Sequence, residues 1–378
     1  LPRLFGGFLR LVFDAQSCRL LDNPSITAIW AIRQLTLMFA KILFPLSDEK
    51  VAGAMQGFVD VEAEVKANDE VLSQELLREF ERMSLLLWAD VCSEVDQEVY
   101  QGTLVPRHGP GSTADRLLGN KKYDQIEWTQ RLEGLFPFLD NALPSPRYFR
   151  ELERVHFREP DTERPVRVIS VPKTQKTPRI IAIEPTCMQF MQQAISKSLV
   201  KKLESRSVGE NHRRNLCFGF VGFESQDPNR EMAALGSCKQ TLATLDMSEA
   251  SDRVSNQHVV SLFRWWPWLS EAVQVTRSTK ADVFGHGVMP LAKFASMGSA
   301  LCFPVEAMVF TTIIFLALER KANTRFTRKD VLSFAGQVRV YGDDIIVPVD
   351  CVDPVVDLLE AFGLKVNKSK SFWNGKFR

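Results

Sequence analysis

The run Val338-Arg339-Val340-Tyr341-Gly342-Asp343-Asp344-Ile345-Ile346-Val347 sets Gly-Asp-Asp between two short β-branched stretches, the pattern of a β-hairpin with carboxylates at its tip. Glycine permits the tight turn, and two adjacent carboxylates repel one another unless something positive sits between them. A divalent cation meets that need; a plain surface turn is the alternative, because Gly and Asp are common in turns. A second stretch narrows the choice. In Leu242-Ala243-Thr244-Leu245-Asp246-Met247-Ser248-Glu249-Ala250-Ser251-Asp252 an apolar strand again runs directly into a carboxylate. If the two strands are neighbours, Asp246, Asp343 and Asp344 converge. Magnesium is commonly held by one or two carboxylates plus substrate phosphates, so three acids suffice for metal-assisted chemistry on a phosphate.

Such acids need a sheet to present them and helices to cover its back. Strands are expected over 166–171, 179–183, 241–245 and 338–341, and helices over 189–203, 257–268 and 305–320, with Pro304 opening the last. Nearer the start, Asn23 is expected to cap a helix with Pro24 in its first position. Ile26, Ile29, Trp30 and Ile32 then begin an apolar stripe, running on to residue 43, that reads as core packing. A second helical run covers 71–91, carrying Leu72, Leu76, Leu77, Phe80 and Trp88 among acids. After it, Arg107-His108-Gly109-Pro110-Gly111-Ser112-Thr113 precludes regular helix; its exposed N–H groups suit either a phosphate contact or an ordinary turn. Strands and helices mixed in this way make an α+β fold, and with no repeat or low-complexity tract the chain reads as one continuous globular unit.

A chain of 378 residues with 45% hydrophobic and 25% charged content is composed like an ordinary soluble protein rather than a disordered one. Arg33 and Lys41 interrupt one apolar run and Glu306 the other, so no membrane span is expected. Seven scattered cysteines without a CxxC pair argue against a zinc site or a disulfide framework. The net charge of +1 is uninformative, but its distribution is not: 45–100 holds 14 acidic and 4 basic residues, 145–214 holds 15 basic and 8 acidic. One region repels phosphate and the other attracts it, although solvated helix faces would look the same. His108, His212, His258 and His286 have no ligand-pair spacing and are assigned no chemistry.

The acid-bearing segments, with others in the same order, resemble the replicases of the small single-stranded RNA phages, the leviviruses, within the right-handed palm polymerases. Asp246 to Asp252 resembles the first palm motif, Ser296-Met297-Gly298-Ser299 the second, Tyr341-Gly342-Asp343-Asp344 the third, Phe362 to Phe372 the fourth, and Trp373 to Arg378 the start of the fifth. Val171-Pro172-Lys173-Thr174-Gln175-Lys176-Thr177-Pro178-Arg179, with Ile183-Glu184-Pro185, resembles the basic fingers motif, and Arg107 to Asp115 the loop that admits the template. Gly-Asp-Asp alone is a weak signal; the whole ordered set is a strong one.

The resemblance implies a palm and fingers polymerase with an antiparallel palm sheet: residues 1–105 as N-terminal extension and helical fingers, 106–235 as fingers, and 236–378 as palm, cut at the start of the thumb. The chain is thus expected to be a piece of a longer protein that elongates poorly by itself. It implies template-directed RNA synthesis in the cytoplasm of an infected bacterial host, with two Mg2+ ions, or Mn2+ in their place, held by Asp246, Asp343 and Asp344. Lys173, Lys176 and Arg179, at three-residue spacing beside prolines, are expected to bind the ribonucleoside triphosphate, the arginine as a planar fork and the lysines as point charges. Arg164 and Arg167 are lesser candidates for the same channel. Asp252, Ser296, Gly298 and Ser299 are expected around the sugar and template pair, and Ser299 stands where related replicases commonly carry Asn. Arg107, Gly109, Gly111, Ser112 and Thr113 would meet template RNA. Lys365, Lys368 and Lys370 compete as proton donor to pyrophosphate, with Lys368 and Lys370 preferred. Host translation elongation factors and a ribosomal protein are implied partners, with RNA template and product. Two other readings remain: a reverse transcriptase, disfavoured because small Ser251 and Asp252 stand where a bulky sugar gate is needed, and a non-catalytic RNA-binding palm, which would bind RNA without magnesium.

Overall fold

Ala243, Leu245 and Met247 alternate with Thr244, Asp246 and Ser248, and this period of two makes Leu242–Ser248 a strand with one buried and one more polar face. In the computed structural model, which describes residues 1–38, 45–173, 177–209 and 212–375, this strand is interior to a four-stranded antiparallel sheet. The order is Arg339–Tyr341, Asp344–Pro348, Leu242–Ser248 and Lys365–Val366. Behind the apolar face runs the helix Cys302–Ala322, buried along nearly its whole length and packed against the helices Gln74–Tyr100 and Val352–Ala361. Trp88, fully buried, donates from Nε1 to Thr312 Oγ1 at 2.9 Å, so the one polar atom of a large core side chain is satisfied. By length and composition Cys302–Ala322 could cross a bilayer, which corrects the expectation that Glu306 breaks the run. With 94% of its most apolar window buried inside the protein, it is the core helix.

The chain divides into two compact units, residues 1–56 with 170–180, and residues 57–169 with 181–378. In the smaller unit the expected cap is corrected: Ser25, not Asn23, caps Ile26–Leu37, its hydroxyl accepting from the Ala28 amide at 3.3 Å. The core-packing expectation is corrected as well. Ile26 and Trp30 are 81% and 63% exposed, because the apolar residues are spread around the helix and packing buries only Ala28. Residues 39–43 of that stripe lie outside the described residues.

In the larger unit Ser73 caps the helix Gln74–Tyr100 and separates it from Asp48–Val71, so the run over 71–91 begins three residues later and continues nine further. The expected helix over 257–268 is two helices, Asn256–Leu262 and Pro267–Val275, since Pro267 cannot continue the first and instead opens the second. Strands Val166–Val171 and Arg179–Ile183 stand where they were expected, in a second four-stranded sheet with Lys280–Val283 and Gly287–Pro290. The result is α+β, with largely antiparallel sheets.

Candidate active site

Tyr341 pairs with Asp344 across a two-residue turn of Gly342 and Asp343, which aims the acids at one end of the sheet. Gly342 has φ +59, and a Cβ there would run into the Phe303 ring, so both the turn and its packing require glycine. Asp344 is in direct register with Asp246, and Ile346 with Thr244. These four share a face, and with Gln226, Arg230, Lys370 and Phe372 they line a cleft of about 400 Å³. Asp343, at the turn itself, is exposed.

The charges explain one another. Burial raises the Asp344 carboxyl, Asp343 and then Asp246 raise it further, while a hydrogen bond from Gln226 Nε2 at 2.6 Å and the Lys370 charge pull it down. Lys370 Nζ lies 3.5 Å from Asp246 Oδ2, within ion-pair reach, yet that oxygen is buried without a hydrogen-bond donor. Among the described residues no three His, Cys, Asp or Glu side chains form a ready-made cage for a metal. A magnesium site of one or two carboxylates completed by substrate oxygens needs no such cage, and an unsatisfied Asp246 oxygen beside mutually repelling acids fits a cation. Lys370, itself exposed, is thus the lysine of its cluster within ion-pair reach of a carboxylate; Lys368 is exposed as well.

One further acid was not foreseen. Glu306, buried in the core helix, has its carboxyl pushed well above the usual range by burial, then by Asp343 and Asp252. The signal was present as a single carboxylate inside an apolar helix, and it reads in sequence only as an interruption. Asp252 Oδ1 accepts from Ser296 Oγ at 2.7 Å, so these two expected sugar-site residues do come together. Ser299 donates to Gln192 Oε1 at 3.2 Å, and Gln192 is tied through the buried Glu184 to Ser278. Gly298 has φ +136, and a Cβ there would collide with the carbonyl oxygen of Ala182. The glycine therefore admits a neighbouring strand, a demand separate from the expected approach to a template base pair.

In the loop, Arg107 and Gly111 are exposed, and Gly109 and Ser112 half-buried. Thr113 is fully buried, its hydroxyl accepting from Thr186 at 2.7 Å, so it anchors the loop. The Gly109 carbonyl accepts from Lys122 at 2.5 Å, and His108 stacks on Phe190. Arg164 is committed to Glu127, which corrects its candidacy for a phosphate channel: two donor atoms reach that carboxylate at 2.7 and 3.1 Å. Lys173 and Arg179 belong to the smaller unit, and Lys176 lies outside the described residues.

Residues 153–378 match the family model described as RNA replicase, beta-chain. The chain belongs to that family. Among curated relatives of this family member, the RNA-directed RNA polymerase subunit beta of Enterobacteria phage SP is 31% identical over 214 residues, 56% of this chain and 32% of that protein. The subunit of Qbeta virus (strain MX1) is 30% identical over 214 residues with the same coverage. The RNA-directed RNA polymerase beta chain of Escherichia phage MS2 is 30% identical over 211 residues, 56% of this chain and 34% of that one. The match thus spans about a third of the length of these relatives. Among solved structures, the RNA-dependent RNA polymerase of a human picorbirnavirus is similar at 14% identity and a TM-score of 0.39, over 55% of this chain and 40% of that one.

Proposed function

We propose that this chain is the palm and part of the fingers of an RNA-directed RNA polymerase that replicates a single-stranded RNA phage genome in the cytoplasm of an infected bacterium. The observation that carries the reading is the register of Asp246 with Asp344 beside the Gly342-Asp343 turn, which brings carboxylates from two neighbouring strands and a hairpin turn to one end of a sheet. Family membership supports it, and so does the resemblance of the motif order.

Two magnesium ions at such a site would activate the primer 3′-hydroxyl and neutralise the triphosphate and departing pyrophosphate. Asp246 and Asp343 are the proposed principal ligands, and Asp344, already accepting from Gln226, the one that tunes them. Lys370 supplies positive charge at the carboxylates until substrate arrives and is then placed to give a proton to pyrophosphate, with Lys368 as the neighbouring alternative. Lys173, Lys176 and Arg179 are proposed to hold the triphosphate, Asp252, Ser296 and Ser299 the ribose, and Gly298 to let the backbone approach the template pair. Arg107, Gly109, Gly111 and Ser112 are proposed to guide template RNA, with Thr113 anchoring their loop. Residues 1–105 and 106–235 would supply extension and fingers, 236–378 the palm. Translation elongation factors and a ribosomal protein of the host are the proposed partners.

The test is ribonucleotide incorporation on an RNA template by a full-length replicase carrying this sequence, with Asp343→Asn beside it. Loss of about three orders of magnitude or more in the variant, with magnesium required by the parent, is expected from removing a charged ligand of a two-metal site. Equal activity of parent and variant would sink the reading, and preference for deoxynucleotides would make the protein a reverse transcriptase.

A further inference from the structure

Lys293 is fully buried, and taking an ammonium out of water costs several kcal/mol unless partners replace the water. Its partners are specific. Nζ lies 3.4 Å from Asp252 Oδ1, 3.7 Å from Glu62 Oε2 and 3.5 Å from the Phe58 carbonyl, and 3.6 Å from the centre of the Phe58 ring. Glu62 is fastened to the same segment by its other oxygen, which accepts from the Ala292 amide and, at 3.4 Å, from the Lys293 amide. Three residues beyond the lysine, Ser296 donates to the oxygen of Asp252 that faces the ammonium. One oxygen of Asp252 is therefore fixed by a hydroxyl and a buried cation together. The other, Oδ2, has no hydrogen-bond partner among the described residues, and the side chain keeps 21% of its surface in solvent.

We infer that Lys293, clamped by Glu62, is a positioning residue that presents Asp252 Oδ2 as a fixed acceptor for the ribose 2′-hydroxyl of the incoming nucleotide. The inference rests on the polymerase reading. A carboxylate left with only Ser296 would be free to turn about its own axis. The ammonium, 3.4 Å from the same oxygen that accepts from Ser296, removes that rotation. An ionised acceptor held in one orientation favours a ligand that carries the hydroxyl over one that lacks it, since the second leaves the acceptor unpaired. Lys293 has no surface of its own, so it acts only through Asp252.

The experiment compares ribo- and deoxynucleotide incorporation by the full-length replicase and by Lys293→Met, which keeps the length of the side chain and removes its charge. The expected result is a fall of about tenfold or more in the ratio of kcat/KM for ribo- over deoxynucleotide, the size of one lost hydrogen bond to a charged group, carried by KM for the ribonucleotide. Should the variant fail to fold, the double variant Glu62→Gln with Lys293→Met removes both buried charges at once and is read by the same ratio. An unchanged ratio in whichever folded variant is measured, with both substrates slowed alike, is a merely structural role and overturns the inference. A parent that incorporates neither substrate overturns the polymerase reading and the inference with it. An active, discriminating parent beside a variant that discriminates equally well overturns the inference alone.

Discussion

Burial lifts the Glu184 carboxyl from 4.5 to about 7, against the opposing pull of hydrogen bonds from Ser278 and Gln192 and the charge of Arg277. The folded state therefore binds a proton that the unfolded chain has released. Its contribution to stability is full below about pH 4.5 and is lost as pH rises to about 7. Glu184→Gln, neutral at every pH, is expected to flatten that decline. Urea unfolding of both proteins across this interval should show the parent losing stability relative to the variant by a few kcal/mol, at most about 1.4 per pH unit. A parallel pair of curves would mean the carboxyl ionises without cost. The same network reaches Ser299 through Gln192.

Between elements, the contact that most restricts substitution is that of the 296–299 segment with the strand Arg179–Ile183. The Met297 carbonyl accepts from the Ala182 amide at 2.9 Å, and at Gly298 there is room for hydrogen alone. Gly298→Ala is expected to destabilise the protein by about 2 kcal/mol or more, combining a backbone conformation that side chains avoid with a collision against a rigid carbonyl. Thermal unfolding measures it, and a variant as stable as the parent would show that the segment can shift. Asp246 and the Gly342-Asp343 turn illustrate the other kind of dependence. Their meeting needs only two strands in one register, which the alternation of apolar residues along Leu242–Ser248 favours, because a slip of one residue there would turn Leu245 to the cleft and Asp246 to the core.

At the scale of the molecule, stability rests on the core around Cys302–Ala322, into which Trp88 reaches from another helix. Trp88→Ala is expected to cost about 3–5 kcal/mol in chemical unfolding, and Trp88→Phe about 1–2, since it keeps most of the volume and leaves Thr312 without its donor. If the alanine variant lost no more than the phenylalanine one, the site would have collapsed around the gap. Neither change touches the carboxylates, so effects on metal or nucleotide binding should follow the unfolded fraction.

The α+β class, the hairpin, the strand that carries Asp246 and the core helix were legible in the chain, because each rests on a local period or turn that nearest neighbours enforce. Helix boundaries were less so: Ser25 and Ser73 cap where an apolar pattern alone shows no edge, and Pro267 divides a run that periodicity joins. The roles of Glu306, Lys293 and Glu184 were decided only by tertiary structure. Each is a single polar residue amid apolar neighbours, and whether it is a flaw, a solvated tip or a buried charge with partners depends on residues far away in sequence. Lys293 finds Glu62 more than 200 positions earlier, a pairing that no spacing rule contains. Local sequence settles conformation because backbone sterics and side-chain period act over a few residues; burial and electrostatics act through space, and only the folded chain sets those distances.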